Sequence, residues 1–201
     1  TTFGSAITVT AVTNANPAVC TATAHGLSNG DVIEVTSGWG RLNKRVFEVS
    51  GVTTNTFELE GMDTSATSFF PAVTGTGTVR EVTAWTQLTK VMNPSTQGGD
   101  PKTVNYKFVE SDVEYSINDG FTATSYTLEF DDDDTTAGYT AMRTLTDAQT
   151  NTVMKMLMRS GAIVYLPCTL AMNDVPRLQD GQINRISAQF AGVNRHTRYA
   201  A

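Results

Sequence analysis

Residues 103–130 read TVNYKFVESDVEYSINDGFTATSYTLEF, and the fold turns on how this stretch is read. Val104, Tyr106 and Phe108 alternate with Asn105 and Lys107. Beyond a slip of register near Glu110, Val113, Tyr115 and Ile117 alternate with Asp112, Glu114 and Ser116. After Asn118, Asp119 and Gly120, the residues Tyr126, Leu128 and Phe130 alternate with Ser125, Thr127 and Glu129. A period of two puts one set of side chains on each face of a strand. Asp-Gly supplies the positive backbone angles of a tight hairpin turn. The stretch therefore predicts a long antiparallel hairpin turning at residues 118–120, with one apolar face and one polar, mostly acidic face. A hairpin is not stable alone in water, so the apolar face must rest on other elements.

Upstream, short strands recur at spacings near ten residues: 7–12, a segment through Val19, Thr21 and Thr23, then 32–35, 46–49, 56–59 and 75–82. Turn formers separate them, as in Asn14 to Pro17 and His25 to Asp31. That pattern predicts a small all-β barrel or sandwich. Residues 21–38 read TATAHGLSNGDVIEVTSG, followed by RLNKRVFEV and TTNTFEL. This run resembles the small β-module named for the first catalytic cysteine half-domain of ubiquitin-activating enzymes, which recurs in bacteriophage tail proteins. The likeness covers roughly residues 7–82 and implies a fold only.

Downstream of residue 83 the texture changes. Residues 85–91 read as a strand, and residues 92–102, MNPSTQGGDPK, as a flexible exposed loop. After the hairpin come four consecutive aspartates, Asp131, Asp132, Asp133 and Asp134, most simply a solvated loop. Thr146 followed by Gln149 makes a helix start. Val153, Met154, Leu157 and Met158 then fall on one helical face, with Gly161 as the stop. Residues 162–171 form a strand whose Pro167 marks an edge or bulge. Residues 175–181 turn the chain back, and residues 182–193 form a final strand.

Composition narrows the function. The 201 residues include 40 % hydrophobic and 17 % charged side chains, with a formal net charge of −6. Affinity for nucleic acid through phosphate neutralisation needs clustered Lys and Arg, which this balance argues against. Cys20 and Cys168, the two cysteines, read as buried free thiols, with a disulfide as the alternative. No charged-then-apolar leader or long apolar run is present, which predicts a soluble protein without a secretion signal or membrane contact. The two histidines, His25 and His196, fall in different predicted domains, and Cys168 with His196 sits in no nucleophile signature. The aspartate run lacks the spacing and distal Glu of a calcium loop. The glycine-rich pieces at residues 74–77 and 97–100 precede no helix, so neither cradles phosphate. We expect neither enzymatic activity nor a cofactor or metal.

The order strand, long loop, hairpin, acidic loop, helix and two strands, next to a module found in phage tails, resembles the tail tube protein of long non-contractile bacteriophage tails. The likeness covers roughly residues 83–199. It implies two packed antiparallel sheets flanked by one α-helix, and six copies joining sheets into rings that stack as a pipe for the genome. The expected fold is thus mainly β, with a small external barrel or sandwich module at 1–82 and a tube domain at 83–201. Expected partners are further copies of the chain, the tape measure and the terminator or tip proteins, with transient, non-specific passage of double-stranded DNA. The expected location is the virion tail, after assembly in the host cytoplasm.

A conduit must not bind its cargo. Carboxylates repel a polyanion over about 8 Å at physiological salt, so Asp112, Glu114 and Glu129 are the expected lumen-facing groups. Arg177, Arg185, Arg195 and Arg198 are expected to pair with Asp131, Asp132, Asp133 and Asp134 of a neighbouring subunit. Asn93, Gln97, Asp100 and Lys102, in the long loop, are the expected contacts between rings. Alternatives are another tail component, such as a terminator or tip ring protein, or a carbohydrate-binding β-module carrying Trp39, Phe69 and Phe70.

Overall fold

The computed structural model describes residues 1–178 and 180–201. The turn expected over residues 175–181 includes Gln179, which lies outside the described residues. The first half of the chain contributes β1 (Thr2–Phe3), β2 (Ile7–Val9), β3 (Ala11–Val12), β4 (Ala18–Thr21), β5 (Val32–Ser37), β6 (Arg45–Ser50), β7 (Thr56–Leu59) and β8 (Gly77–Ala84). They form an eight-stranded sheet in the order β1-β8-β5-β6-β7-β4-β3. The segment 7–12 pairs with β8 through β2 and with β4 through β3, so the sheet curls back on itself. Inward-pointing Ile33, Val35, Phe47, Val49, Phe57, Leu59 and Val79 fill it, with Trp39 and Phe70 at one end.

The second half contributes β9 (Val91–Gln97), β10 (Pro101–Tyr106), β11 (Tyr115–Phe121), β12 (Ser125–Asp131), α1 (Ala137–Ala148), β13 (Asn151–Leu157), β14 (Ile163–Arg177), β15 (Arg185–Gly192) and β16 (Thr197–Tyr199). A six-stranded sheet runs β13-β14-β15-β12-β9, with β16 alongside β14, and β10 pairs with β11 in a separate ribbon. Every pairing among the described residues is antiparallel. The fold is mainly β with one α-helix, as the sequence predicts. Even-numbered residues of the sheet, including Phe130, Met154, Leu166, Leu170, Ile186 and Phe190, meet Met142 of α1 in a second core.

Three expectations change. The hairpin exists but turns elsewhere. Ser125 of β12 pairs with Gln97 of β9, and Pro101 of β10 with Phe121 of β11. Residues 91–106 and 115–131 are therefore one long arm, whose lower half belongs to the sheet and whose upper half projects. The reversal occupies residues 107–114. Asn118, Asp119 and Gly120 lie inside β11, where the register slips against β10. Asn118 Oδ1 accepts from Gly120 N at 3.1 Å, and Gly120 has φ +102, so the turn chemistry makes a bulge rather than a hairpin end.

The second change concerns residues 92–102, which are β9 and the start of β10, joined through Gly98 and Gly99. Pro94 is tolerated because β9 is an edge strand.

The third is the helix, which precedes the predicted one. Thr136 caps it by accepting from Tyr139 N at 3.3 Å, and it ends at Gln149 in the left-handed region. Thr146 lies within the helix, where its Oγ1 accepts from Met172 N at 3.0 Å. Residues 151–157 are strand β13 instead. The Val153 to Met158 run fits either period over so short a span, and pairing with β14 along seven residues decides it. Pro167 falls on β14 where the neighbour changes from β16 to β15, so its missing N–H interrupts no ladder.

Candidate assembly surfaces

The outer face of the curled sheet is not left to solvent. Val32, Val46 and Val82 point away from its interior and join Val153 and Tyr165 in a third core. Polar contacts rim this seam: Tyr165 Oη donates to Glu48 Oε1 at 2.8 Å, and Glu48 N donates to Tyr199 Oη at 2.9 Å. Asn194 Nδ2 donates to the Asn43 carbonyl at 2.6 Å. Glu34, also on the outer face, is buried and pairs with Arg80. The first module is therefore seated on the sheet rather than tethered to it.

The projecting half of the arm has the opposite character. Its register places Val104 opposite Ile117 and Tyr106 opposite Tyr115, so these four share one face of a two-stranded ribbon. No described residue covers them: Ile117 is 57 % exposed and Val104 50 %. Tyr106 stacks on Tyr115 with centroids 5.4 Å apart, and Phe108 meets both edge-on. Val109 and Val113 stand exposed at the turn. A contiguous apolar patch exposed to water marks a contact surface. The alternation that reveals it was legible in the sequence, but it reads equally well as a core face.

Of the expected lumen carboxylates, Asp112 and Glu114 lie in the turn of the arm and Glu129 on β12, so the three do not share a strand face. Glu129 is the centre of a polar node. Asn93 Nδ2 donates to it at 2.8 Å, and Arg185 and Arg177 approach at 3.4 and 3.3 Å. The Asn93 hydrogen bond first, and then the guanidiniums, hold the carboxyl below its usual range. Around it, Thr127, Ser187 and Gln189 continue an open polar face.

Four of the eight expected charge partners, Arg177, Arg185, Asp131 and Asp133, are engaged within the chain. Arg177 and Arg185 serve Glu129, while Lys90 pairs with Asp131 at 3.2 Å and with Asp133 at 2.7 Å. Lys90 and the Thr135 hydroxyl and amide bring Asp133 down to about 2. Asp132 and Asp134 flank it without an ion pair among the described residues. Gln97 and Asp100 lie where the arm leaves the sheet, and Lys102 pairs with Asp119 along the arm at 3.0 Å.

Arg195 and Arg198 have no carboxylate within ion-pairing distance among the described residues. Arg195 instead lies over the Phe121 ring at 4.8 Å, at the foot of the arm. Burial first, and then Arg195, Arg45 and Arg198, push the His196 imidazole down. Arg45 is lowered by burial and by Arg195; its Nη2 donates to Thr197 Oγ1 at 3.2 Å, and its buried Nε has no partner. The sequence marks Arg195 and Arg198 as a basic pair, but it carried no signal that Arg45 joins them, because Arg45 comes from a strand remote in the chain.

β13 and β9 end the path of the six-stranded sheet, and among the described residues no further strand pairs with either, although the Val153 amide on β13 donates to Thr1 Oγ1 at 3.4 Å. Beside β13 an open apolar groove of about 690 Å³ runs between the sheet and α1, lined by Trp85, Leu128, Met142, Leu145, Met156 and Leu170. The aromatic residues open to the carbohydrate-binding alternative are mostly core. Trp39 and Phe70 are buried, Trp39 Nε1 donates to the Pro71 carbonyl at 2.8 Å, and Phe69 alone is exposed, against Arg41. No described helix is long and apolar enough to cross a membrane.

These features define a β-rich building block with unpaired sheet edges and a protruding apolar arm. Residues 37–201 match the family model described as phage tail tube protein, TTP. The chain belongs to that family, and its role is that of a structural protein of the phage tail. The match begins inside β5 and so takes in much of the curled sheet as well as everything after it. No curated protein matches the chain.

Proposed function

We propose that copies of this chain join through their sheet edges and arms into closed rings, six to a ring as the family resemblance implies, which stack as the tail tube. The observation that carries this reading is the uncovered apolar face of Val104, Tyr106, Tyr115 and Ile117. An isolated two-stranded ribbon is marginal in water, so a face of this kind is stable once a second surface covers it. The edge positions of β13 and β9 support the same reading, because a head-to-tail contact between two different edges closes into a ring when the rotation permits. The groove beside β13 offers the arriving edge an apolar seat.

The wall of the bore is the open face that carries Thr127, Glu129, Ser187 and Gln189. The curled module covers the same sheet at its other end, over β13 and the start of β14, which confines the wall to β9, β12, β15 and the far half of β14. Glu129 neutralises one of the two arginines that meet it, Arg177 and Arg185, and the uncharged Thr127, Ser187 and Gln189 around them keep the wall sparse in cations for passing DNA to grip. In this role the chain acts in the virion tail, meets the tape measure and terminator or tip proteins, and conducts the genome during ejection. It needs no catalytic group, cofactor or metal.

Sedimentation velocity and negative-stain microscopy of the concentrated chain test the reading against a variant in which residues 101–121 are replaced by a short turn. Rings or tubes from the full chain and monomers from the shortened one are expected. A full chain that remains monomeric at every concentration, and is missing from purified tails, overturns it.

A further inference from the structure

On the arm and at its foot, the charges that form no ion pair among the described residues are segregated by sign. Its turn, residues 107–114, carries Glu110, Asp112 and Glu114 against Lys107 alone, and none of the three carboxylates forms an ion pair among the described residues. Its foot lies against Arg195, stacked over Phe121, with His196 and Arg198 beside it and Arg45 behind. Two carboxylates lie beside the neighbouring Tyr199, and of these Glu48 accepts from Tyr165 Oη.

Six residues of strand separate turn from foot, a span of about 20 Å. That is well beyond the screening length of about 8 Å at physiological salt, so the two ends of one arm do not satisfy each other. A projecting element that is acidic at its tip and basic at its foot is complementary to a second copy of itself in head-to-tail order.

We propose that the arm tip of one copy, through Glu110, Asp112 and Glu114, seats on the basic foot of the next copy, formed by Arg195, His196 and Arg198. The aspartate run at Asp131 to Asp134 is the weaker candidate for the acidic group that occupies that seat, because Lys90 already holds Asp131 and Asp133. The contact would set the direction and register of assembly, while burial of the apolar face of the arm supplies most of the attraction. This inference rests on the reading of the chain as a self-assembling tube subunit.

Charge reversal separates the two. Three variants of the full chain are compared with the parent by sedimentation velocity and negative stain: R195E with R198E, D112K with E114K, and all four changes together. All the substituted residues are exposed, and a thermal melt establishes that each variant folds. Each one-sided pair should raise the concentration needed for assembly by at least about tenfold, and the four-residue variant should recover most of that loss. One-sided variants that assemble like the parent overturn the tip-to-foot contact and leave self-assembly standing. Folded one-sided variants that fail while the four-residue variant also fails overturn it too, since the two charge sets then do not meet. A parent that never assembles removes the underlying reading itself.

Discussion

Tyr165 on β14 and Glu48 on β6 meet at 2.8 Å, hydroxyl to carboxylate, across the seam between the curled module and the six-stranded sheet. Tyr165 is almost fully buried, and Glu48 also presents its backbone N–H to Tyr199. Changing Tyr165 to Phe keeps the ring packing and leaves the carboxylate short of a donor. The expected loss is roughly 1–2 kcal/mol, a fall of several degrees in melting temperature for a chain of this size. A calorimetric scan of Y165F with an unchanged midpoint would show that water replaces the hydroxyl without cost.

The same seam governs how the protein unfolds. Val32, Val46 and Val82 of the first module share one core with Val153 and Tyr165 of the second. Separating the modules would expose all five, so the chain should melt in one cooperative transition. Two resolved calorimetric peaks would contradict this.

The bend in the arm depends on Gly98. Its φ is +79, and a Cβ there would stand 1.9 Å from the Ala123 carbonyl oxygen. Gly120 also has positive φ, +102, but open space around it. Gly120→Ala should cost about 1–2 kcal/mol, the strain of the left-handed backbone alone. Gly98→Ala should cost more, because the neighbouring strand must also move. Denaturant titration of the two variants measures the difference; equal losses would mean that the close approach of the arm's two strands is not required.

Stability should fall at both ends of the pH scale. Burial pushes the Cys20 and Cys168 thiols up to about 12 from a usual value near 9. The folded chain then keeps protons that the unfolded chain releases, so this contribution is complete below about pH 9 and is lost as pH rises towards 12. Asp133 runs the other way. Its folded value near 2 lies below the usual 3.8, so its contribution holds above pH 4 and disappears as pH falls towards 2. Asp133→Asn should flatten the acid limb of a plot of melting temperature against pH. Both thiols are free and buried, so neither should react with a thiol reagent at pH 8 before denaturant is added. Prompt labelling of either would refute its burial.

Several elements were legible in the residues because the signal was local. Alternating Ile33, Val35, Phe47 and Val49 mark the strands of the curled module, and all four are core. The arm was legible as a hairpin for the same reason, yet its turn was misplaced. Asn118, Asp119 and Gly120 are the better turn formers, but Val104 pairs with Ile117 and Tyr106 with Tyr115, so the chain reverses at residues 107–114 instead. The helix escaped because Gly138 and three threonines lower its intrinsic propensity, and packing of Met142 against the sheet compensates.

By itself the chain of residues determined the β-rich character, the turn-separated strands of the first module, the paired strands of the arm and the overall acidic balance, because alternation and turn chemistry act between neighbours in sequence. Only the tertiary structure decided which apolar face is core and which stands in water, and which charges find partners. Val104 and Leu128 look alike in sequence, yet one lies on a projecting ribbon and the other packs against the core under α1. Glu129 and Asp112 are both carboxylates on predicted strands, yet only Glu129 meets arginines brought from β14 and β15. Burial and ion pairing are set by distances between segments remote in sequence, and those distances exist only once the sheets have formed.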